Sequence, residues 1–275
     1  MSLATLSLGH GGPRIAFLHG LFGQGRNWAQ IAKGVCGEDG TGARALLVDL
    51  PDHGRSPWTP SGAAFSFEAY AAAVADTLAE AAPGEPWVLV GHSLGGKTAM
   101  VTTLQHPELI AALCVVDIAP KSYGDLHRFT GYIDGMRRMP LGELDSRGAA
   151  DDWYAEHVEP DPGVRAFLLQ NLRRDGQSWR WQANVELFAG DAAKGSGSVI
   201  ADWPATAVAS APAYEGPVVW LRGEESGYIT DEDADVMRGY FPRARQVTVK
   251  GAGHWVHTDA PGVVVETLRR LLRAH

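Results

Sequence analysis

Short runs of apolar and β-branched residues recur at positions 14–18, 44–49, 87–90, 112–117, 217–222 and 245–249, each about the length of one strand. Between them the apolar positions take helical spacing, most clearly over 67–82, where Ser66 is the expected N-cap, and over 95–106 and 261–272. Runs such as Val88-Leu-Val and Val115-Val are apolar on both faces, as strands covered by helices on each side must be. This alternation predicts an α/β fold with a doubly wound, mostly parallel sheet. From 121 to 213 the alternation stops, and helix-like pieces separated by Gly and Pro carry Trp153, Trp179, Trp181 and Trp203. Such a stretch is far longer than an ordinary connection. It is read as a helical cap inserted into a core formed by residues 1–120 and 214–275.

Composition narrows the function classes. A chain of 275 residues accommodates one large domain, or a domain with an insertion. A formal charge of -8 gives no general attraction to phosphate backbones or anionic lipid, so nucleic acid is not an expected partner. The basic run from Arg269 to Arg273 sits where the last helix should end, and complements its dipole. Cys36 and Cys114 cannot build a disulfide framework, and Cys114 lies inside an apolar run. No apolar run approaches the ~18 residues that span a bilayer, and no His/Asp cluster has metal-ligand spacing. The expectation is a cytoplasmic monomer or homodimer with no metal, no cofactor and no stable membrane insertion. Glycine is the outlier: 33 residues, or 12%, against a usual share of about 7%, imply many tight turns or close backbone approaches.

Some of those glycines flank a serine. Gly91-His-Ser93-Leu-Gly95 lies directly after a buried strand and before a helical pattern. A serine on a sharp strand-to-helix turn is crowded on both sides, so glycine two residues before and after it relieves the clashes and leaves Oγ exposed. Serine attacks only when a base takes its proton, so a histidine is required on another strand-end loop. His254, in Gly251-Ala-Gly-His-Trp-Val-His257, meets that need; His257 lies further toward the last helix and is assigned a structural or pocket-lining part. The carboxylate that would fix the tautomer of His254 has two possible origins. Asp117 ends the strand after the nucleophile's, and Glu224 and Glu225 follow the strand at 217–222; Asp117 is preferred. An oxyanion needs two preorganised N–H donors. One is the amide of Leu94, at the helix start; the other is expected from the Gly-rich turn Leu18-His-Gly-Leu-Phe-Gly, at Leu21, with Phe22 the next choice.

Taken with Val48-Asp-Leu-Pro-Asp-His-Gly-Arg-Ser-Pro57, these motifs resemble the α/β-hydrolase superfamily over nearly the whole chain. More narrowly, Gly95-Gly-Lys97-Thr-Ala-Met, Val116-Asp-Ile-Ala-Pro120, Trp179-Arg-Trp-Gln-Ala-Asn184 and the His254 loop are similar to a group of small bacterial esterases and the mitochondrial abhydrolase-domain protein eleven. The resemblance implies an eight-stranded, mostly parallel sheet and ester or thioester hydrolysis without a cofactor. In that group the acid follows the strand equivalent to 112–116, which supports Asp117. Other enzymes of the fold carry it after the strand equivalent to 217–222, where the aligned residue here is Ser226. Two features depart from or extend the pattern. The early loop reads Pro51-Asp-His-Gly where many relatives have Asn or Gly before the histidine, and Lys97 lies one helical turn after Ser93. Lys97 is read as a salt-bridge or helix-surface residue, or as an aid to an anionic substrate, and stays outside the catalytic set.

The expected activity is cleavage of carboxylic esters or thioesters, from small acyl esters to acyl-CoA, through a Ser93-His254-Asp117 triad and an acyl-enzyme. Leu21 and Leu94 would hold the oxyanion, and Phe22, Trp153, Trp181 and Trp255 are expected to contact substrate. Two alternatives remain. The segment from Leu18 to Trp28 also resembles the start of menaquinone-pathway synthases, in which the triad would serve a carbon-carbon lyase. The scaffold could also bind a ligand without catalysis.

Overall fold

Seven strands form the central sheet of the computed structural model, which describes residues 2–37, 41–124, 127–194 and 198–274. In chain order they are β1 (Thr5–Leu8), β2 (Arg14–Leu18), β3 (Arg44–Val48), β4 (Trp87–His92), β5 (Ile110–Val116), β8 (Val218–Gly223) and β9 (Ala244–Val249); β6 (Leu172–Asp175) and β7 (Ser178–Trp181) pair separately. The spatial order is β1-β3-β2-β4-β5-β8-β9, with every pairing parallel except that of β1 with β3. Six of these strands are those the hydrophobic pattern predicts. The seventh, β1, has three exposed residues out of four, so it leaves no apolar signature. The expected count of eight is therefore corrected: among the described residues no eighth strand joins this sheet.

Side chains alternate between two apolar layers, as strand geometry requires. Ile15 and Phe17 of β2 face one layer with Trp28, while Ala16 and Leu18 face the other. The first layer is closed by α1 (Ala29–Cys36) and α10 (Pro261–Arg273), the second by α2 (Phe67–Ala81) and α3 (Leu94–Gln105). Ser66 caps α2 by accepting from the Ala69 amide. Two shorter helices, α8 (Ala234–Tyr240) and α9 (Val256–Asp259), flank β9 in sequence. Among the described residues no helix is long and apolar enough to cross a membrane.

The segment from 121 to 213 leaves the sheet after β5 and returns before β8. It contains α4 (His127–Arg138), α5 (Arg147–His157), α6 (Pro162–Leu169) and α7 (Val185–Ala192). It also contains the β6–β7 hairpin, turned at Gly176 with φ 60°, so a purely helical reading of this insertion is incomplete. The indoles of the hairpin bond inside the insertion: Trp179 Nε1 donates to the Leu144 carbonyl and Trp181 Nε1 to that of Met136, both at 2.9 Å.

A buried carboxylate joins the insertion to the sheet. Asp52, fully buried and left-handed at φ 64°, accepts from Asn184 Nδ2 (2.7 Å), the Thr59 amide (2.7 Å), Thr59 Oγ1 (2.6 Å) and Tyr70 Oη (3.0 Å). Its carbonyl also accepts from the Asn184 amide at 2.9 Å, and Asn184 in turn caps α7. Aspartate in the early loop thus has a structural task that explains the departure from the Asn-His-Gly pattern.

Glycine is most constrained where α3 crosses β2. A Cβ on Gly95 would lie 2.5 Å from the His19 carbonyl oxygen and 2.6 Å from that of Leu18. Gly95→Ala should therefore destabilise the protein by at least the ~1–3 kcal/mol typical of overpacking. Gly239→Ala in α8, where an added Cβ meets nothing within 4 Å, should gain up to about 1 kcal/mol of helix propensity. Urea midpoints of the two variants moving in the same direction would contradict this account.

Candidate active site

Adjacent parallel strands bring residues distant in sequence to one edge of the sheet. Ser93 follows β4, Asp117 follows β5, Ser226 lies on the loop after β8, and His254 follows β9. Ser93 has φ 52° and ψ −117°, a conformation that L-residues rarely adopt and that only surrounding contacts can sustain. Those contacts are backbone: the Ser93 amide donates to the Val116 carbonyl at 3.2 Å, and its carbonyl accepts from the Lys97 amide at 3.0 Å. A Cβ on Gly91 would lie 2.2 Å from the Gly95 carbonyl oxygen, so the flanking glycines are required by close approach.

Asp117 is fully buried and, like Ser93, left-handed, at φ 51°. Its Oδ1 accepts from the Gly223 amide at 2.9 Å, and its Oδ2 accepts from His254 Nδ1 at 2.8 Å and from the Ser226 hydroxyl. With the Nδ1 proton directed at a carboxylate, the neutral ring carries its lone pair on Nε2. His254 is held on two further sides. Tyr228 stacks on the ring with centroids 4.0 Å apart, and His92 Nε2 donates to the His254 carbonyl at 2.9 Å. Glu224 instead accepts from the Gly251 amide at 3.0 Å, and Glu225 is exposed. Of the carboxylates considered from the sequence, Asp117 is the one that meets His254.

The turn after β2 approaches Ser93 from the other side: a Cβ on Gly20 would lie 3.3 Å from Ser93 Cβ and 2.9 Å from His92 Nδ1. The Gly20 carbonyl accepts from the Gly23 amide at 2.9 Å and from His19 Nδ1 at 2.8 Å. His19 Nε2 accepts from the Leu50 amide at 3.0 Å, which places the ring proton on Nδ1. Because a trans peptide is planar, its C=O and the following N–H point opposite ways, so a fixed Gly20 carbonyl aims the Leu21 amide away from the turn. The Phe22 amide, the other donor considered, is engaged with His53 Nε2 at 3.1 Å. Leu94, first residue of α3, has an amide with no intrahelical partner.

Leu21, Ser93 and Leu94 line one cleft of about 200 Å³ with Lys97, Ile118, Tyr123, Phe129, Ile200, Ala201, Gly227 and Tyr228. The substrate-contact residues expected from sequence lie elsewhere. Phe22 is buried edge-on to Phe188, Trp153 stacks on His157, Trp181 is tied to Met136 and Trp255 packs on Phe167. Size makes large aromatics natural ligand contacts, but here each packs within or against the insertion. The tyrosines that do line the cleft gave a weaker signal. Tyr123 is placed by two bonds of 2.7 Å, accepting from the Ala119 amide and donating to the Tyr228 carbonyl. Lys97 is not a surface residue, and among the described residues it forms no salt bridge. It is buried in the cleft wall, and its ammonium donates to the carbonyls of Ile200 (3.3 Å), Ala201 (2.8 Å) and Asp202 (2.5 Å). It lies 4.9 Å from the Tyr123 ring centroid, and burial lowers its pKa to about 7.

The chain is similar to known proteins in sequence and fold. The family model for the alpha/beta hydrolase fold matches residues 13–261. The chain belongs to this family. The α/β-hydrolase is 36% identical over 253 residues to mouse sn-1-specific diacylglycerol lipase ABHD11, covering 90% of this chain and 77% of that protein. It is 29% identical to esterase YbfF of Escherichia coli, covering 96% and 94%. Among solved structures, a marine microorganism esterase superposes with a TM-score of 0.87 at 28% identity, over 98% of this chain and 99% of that one.

Four histidines near the cleft are held neutral by their surroundings. Burial lowers the pKa of His19, His53 and His92, with repulsion from His53 adding at His19 and from His254 and His257 at His92; burial takes His257 to about 4. In the unfolded chain each titrates near 6.5. Below that pH the unfolded state binds more protons than the fold does, so stability is fully present above about pH 6.5 and is lost as pH falls. The free energy of unfolding should fall between pH 7 and pH 4.5 by up to about 1.4 kcal/mol per pH unit for each histidine that protonates only on unfolding, and the melting temperature should fall with it. A flat calorimetric profile over that range would contradict it.

Proposed function

We propose that this α/β-hydrolase is a carboxylic ester hydrolase in which Ser93 is the nucleophile. Ser93 Oγ attacks the carbonyl carbon of an ester or thioester while His254 Nε2 takes its proton, and Asp117 stabilises the resulting imidazolium. The oxyanion is received by the amides of Leu94 and Leu21. His254 then returns the proton to the departing alcohol or thiol, and water attacks the acyl-enzyme by the same route. The observation that carries this reading is the 2.8 Å bond from His254 Nδ1 to Asp117, formed between the loops after β9 and β5, four and two places along the sheet from β2, at the edge where Ser93 stands.

Support for the ester substrate comes from the relatives, which are named as esterases and as a diacylglycerol lipase. The cleft is apolar along Leu21, Leu94, Ile118, Phe129 and Ile200, and its volume of about 200 Å³ favours short acyl groups over the ~300–1,000 Å³ typical of larger ligands. Tyr123, Phe129, Ile200 and Ala201 come from the inserted segment, which supports reading residues 121–213 as a cap over the core formed by 1–120 and 214–275.

Hydrolysis of a p-nitrophenyl ester series from acetate to palmitate tests this reading. Ser93→Ala should lose at least about 10⁴-fold in kcat while remaining folded. Turnover comparable to the parent protein would end the proposal. Asp117→Asn should lose on the order of 10³–10⁴-fold through the wrong histidine tautomer, and Glu225→Gln less than twofold; the reverse ranking would move the acid to the β8 loop.

A further inference from the structure

The turn that presents the Leu21 amide is gripped from the inserted segment. Phe22 adopts φ 61°, which a bulky residue holds only when its surroundings leave no alternative. Its amide donates to His53, within the core. Its carbonyl accepts from Asn171 Nδ2 at 2.7 Å and from Gln170 Nε2 at 3.3 Å, and its ring meets Phe188 of α7 edge-on at 5.7 Å. Both amide donors sit at the corner between α6 and β6.

Asn171 is built for this contact. It is fully buried, and its side chain is saturated: Oδ1 accepts from Gln24 Nε2 at 3.1 Å, while Nδ2 also donates to the Leu168 carbonyl at 3.1 Å. Gln24 belongs to the same turn as Phe22, so Asn171 holds the turn at two points, two residues apart. Without this grip the Phe22 carbonyl would lose its two side-chain donors, and the left-handed residue would lose the contacts that justify it. The Leu21 amide is one residue upstream, and an oxyanion donor must be aimed within a few tenths of an ångström to act.

We infer that Asn171 is a positioning residue through which the inserted segment fixes the Leu21 amide for the oxyanion. The inference rests on the proposed serine hydrolase chemistry. It makes the seating of the insertion a requirement of the chemical step, separate from any contact with substrate.

Steady-state hydrolysis of p-nitrophenyl butyrate, with inhibition by an alkyl trifluoromethyl ketone, tests it. That ketone binds by adding Ser93 Oγ and forming an oxyanion. Asn171→Asp keeps the side-chain shape and the acceptor for Gln24 but loses the donor to Phe22. It should lower kcat about 10- to 100-fold and weaken ketone inhibition in parallel, with KM within about twofold. Gln170→Ala, which removes the longer bond, should show the same pattern at a few-fold and covers the case in which Asn171→Asp does not fold. Tyr132→Phe, which loses a 2.7 Å bond to Glu159 within the insertion, should leave kcat and ketone inhibition unchanged. If Gln170→Ala and every folded Asn171 variant match the parent protein in kcat and ketone inhibition, or lose kcat only as far as Tyr132→Phe does, the inference is overturned. Failure of the serine chemistry itself is read separately, from residual turnover in Ser93→Ala.

Discussion

The site depends on a single buried carboxylate that holds two neighbouring loops to its own. Asp117 receives the amide of Gly223, the hydroxyl of Ser226 and the ring nitrogen of His254, so one side chain after β5 organises the loops that follow β8 and β9. A carboxylate with no exposure is stable only while its oxygens are satisfied, because burying an unpaired charge is far more costly than burying a paired one. The loops are held to the carboxylate by that requirement, and the histidine orientation follows from it. Ser226, on the loop after β8, donates its hydroxyl to the carboxylate that follows the neighbouring strand β5.

A second buried carboxylate has a comparable role in the loop after β3. Asp52 ties Asn184 to the core, His53 beside it accepts from the Phe22 amide, and Asn171 of the insertion donates to the Phe22 carbonyl. Lys97 adds a third tie, from α3 to the carbonyls of residues 200–202. These contacts are polar, directional and buried. The insertion is therefore held at the cleft by a few saturated hydrogen-bonding side chains, in addition to apolar packing.

What the sequence made legible follows from how each feature is encoded. The inner parallel strands β4 and β5 are apolar on both faces and so are legible, as is the turn at Ser93, where backbone approaches of 2.2 Å at Gly91 and 2.5 Å at Gly95 force the glycines. β1 was invisible because it is a solvent-exposed edge with nothing to bury. The β6–β7 hairpin does carry a signal, an Asp-Gly turn followed by alternating Trp-Arg-Trp, but it is a single short pair inside a stretch with helical spacing. The place of Lys97 is hidden for a different reason. Lysine is almost never fully buried unless paired, and its partners are backbone carbonyls of residues a hundred positions away, which no local pattern records. Cleft lining is the least legible property, since it depends on which side of the insertion faces the sheet.

The strand order has a further consequence for how the chain reaches this state. β5 is a central strand, bordered by β4 on one side and β8 on the other, yet roughly a hundred residues separate the end of β5 from the start of β8. During synthesis the sheet must stop growing at β5 while the insertion emerges. For that interval Leu113, Cys114, Val115 and Val116 present an open apolar edge, the kind of surface that recruits foreign strands. The vulnerable species for this protein is thus a specific intermediate, a five-stranded sheet lacking β8 and β9, and molecular chaperones would have most to shield in that window.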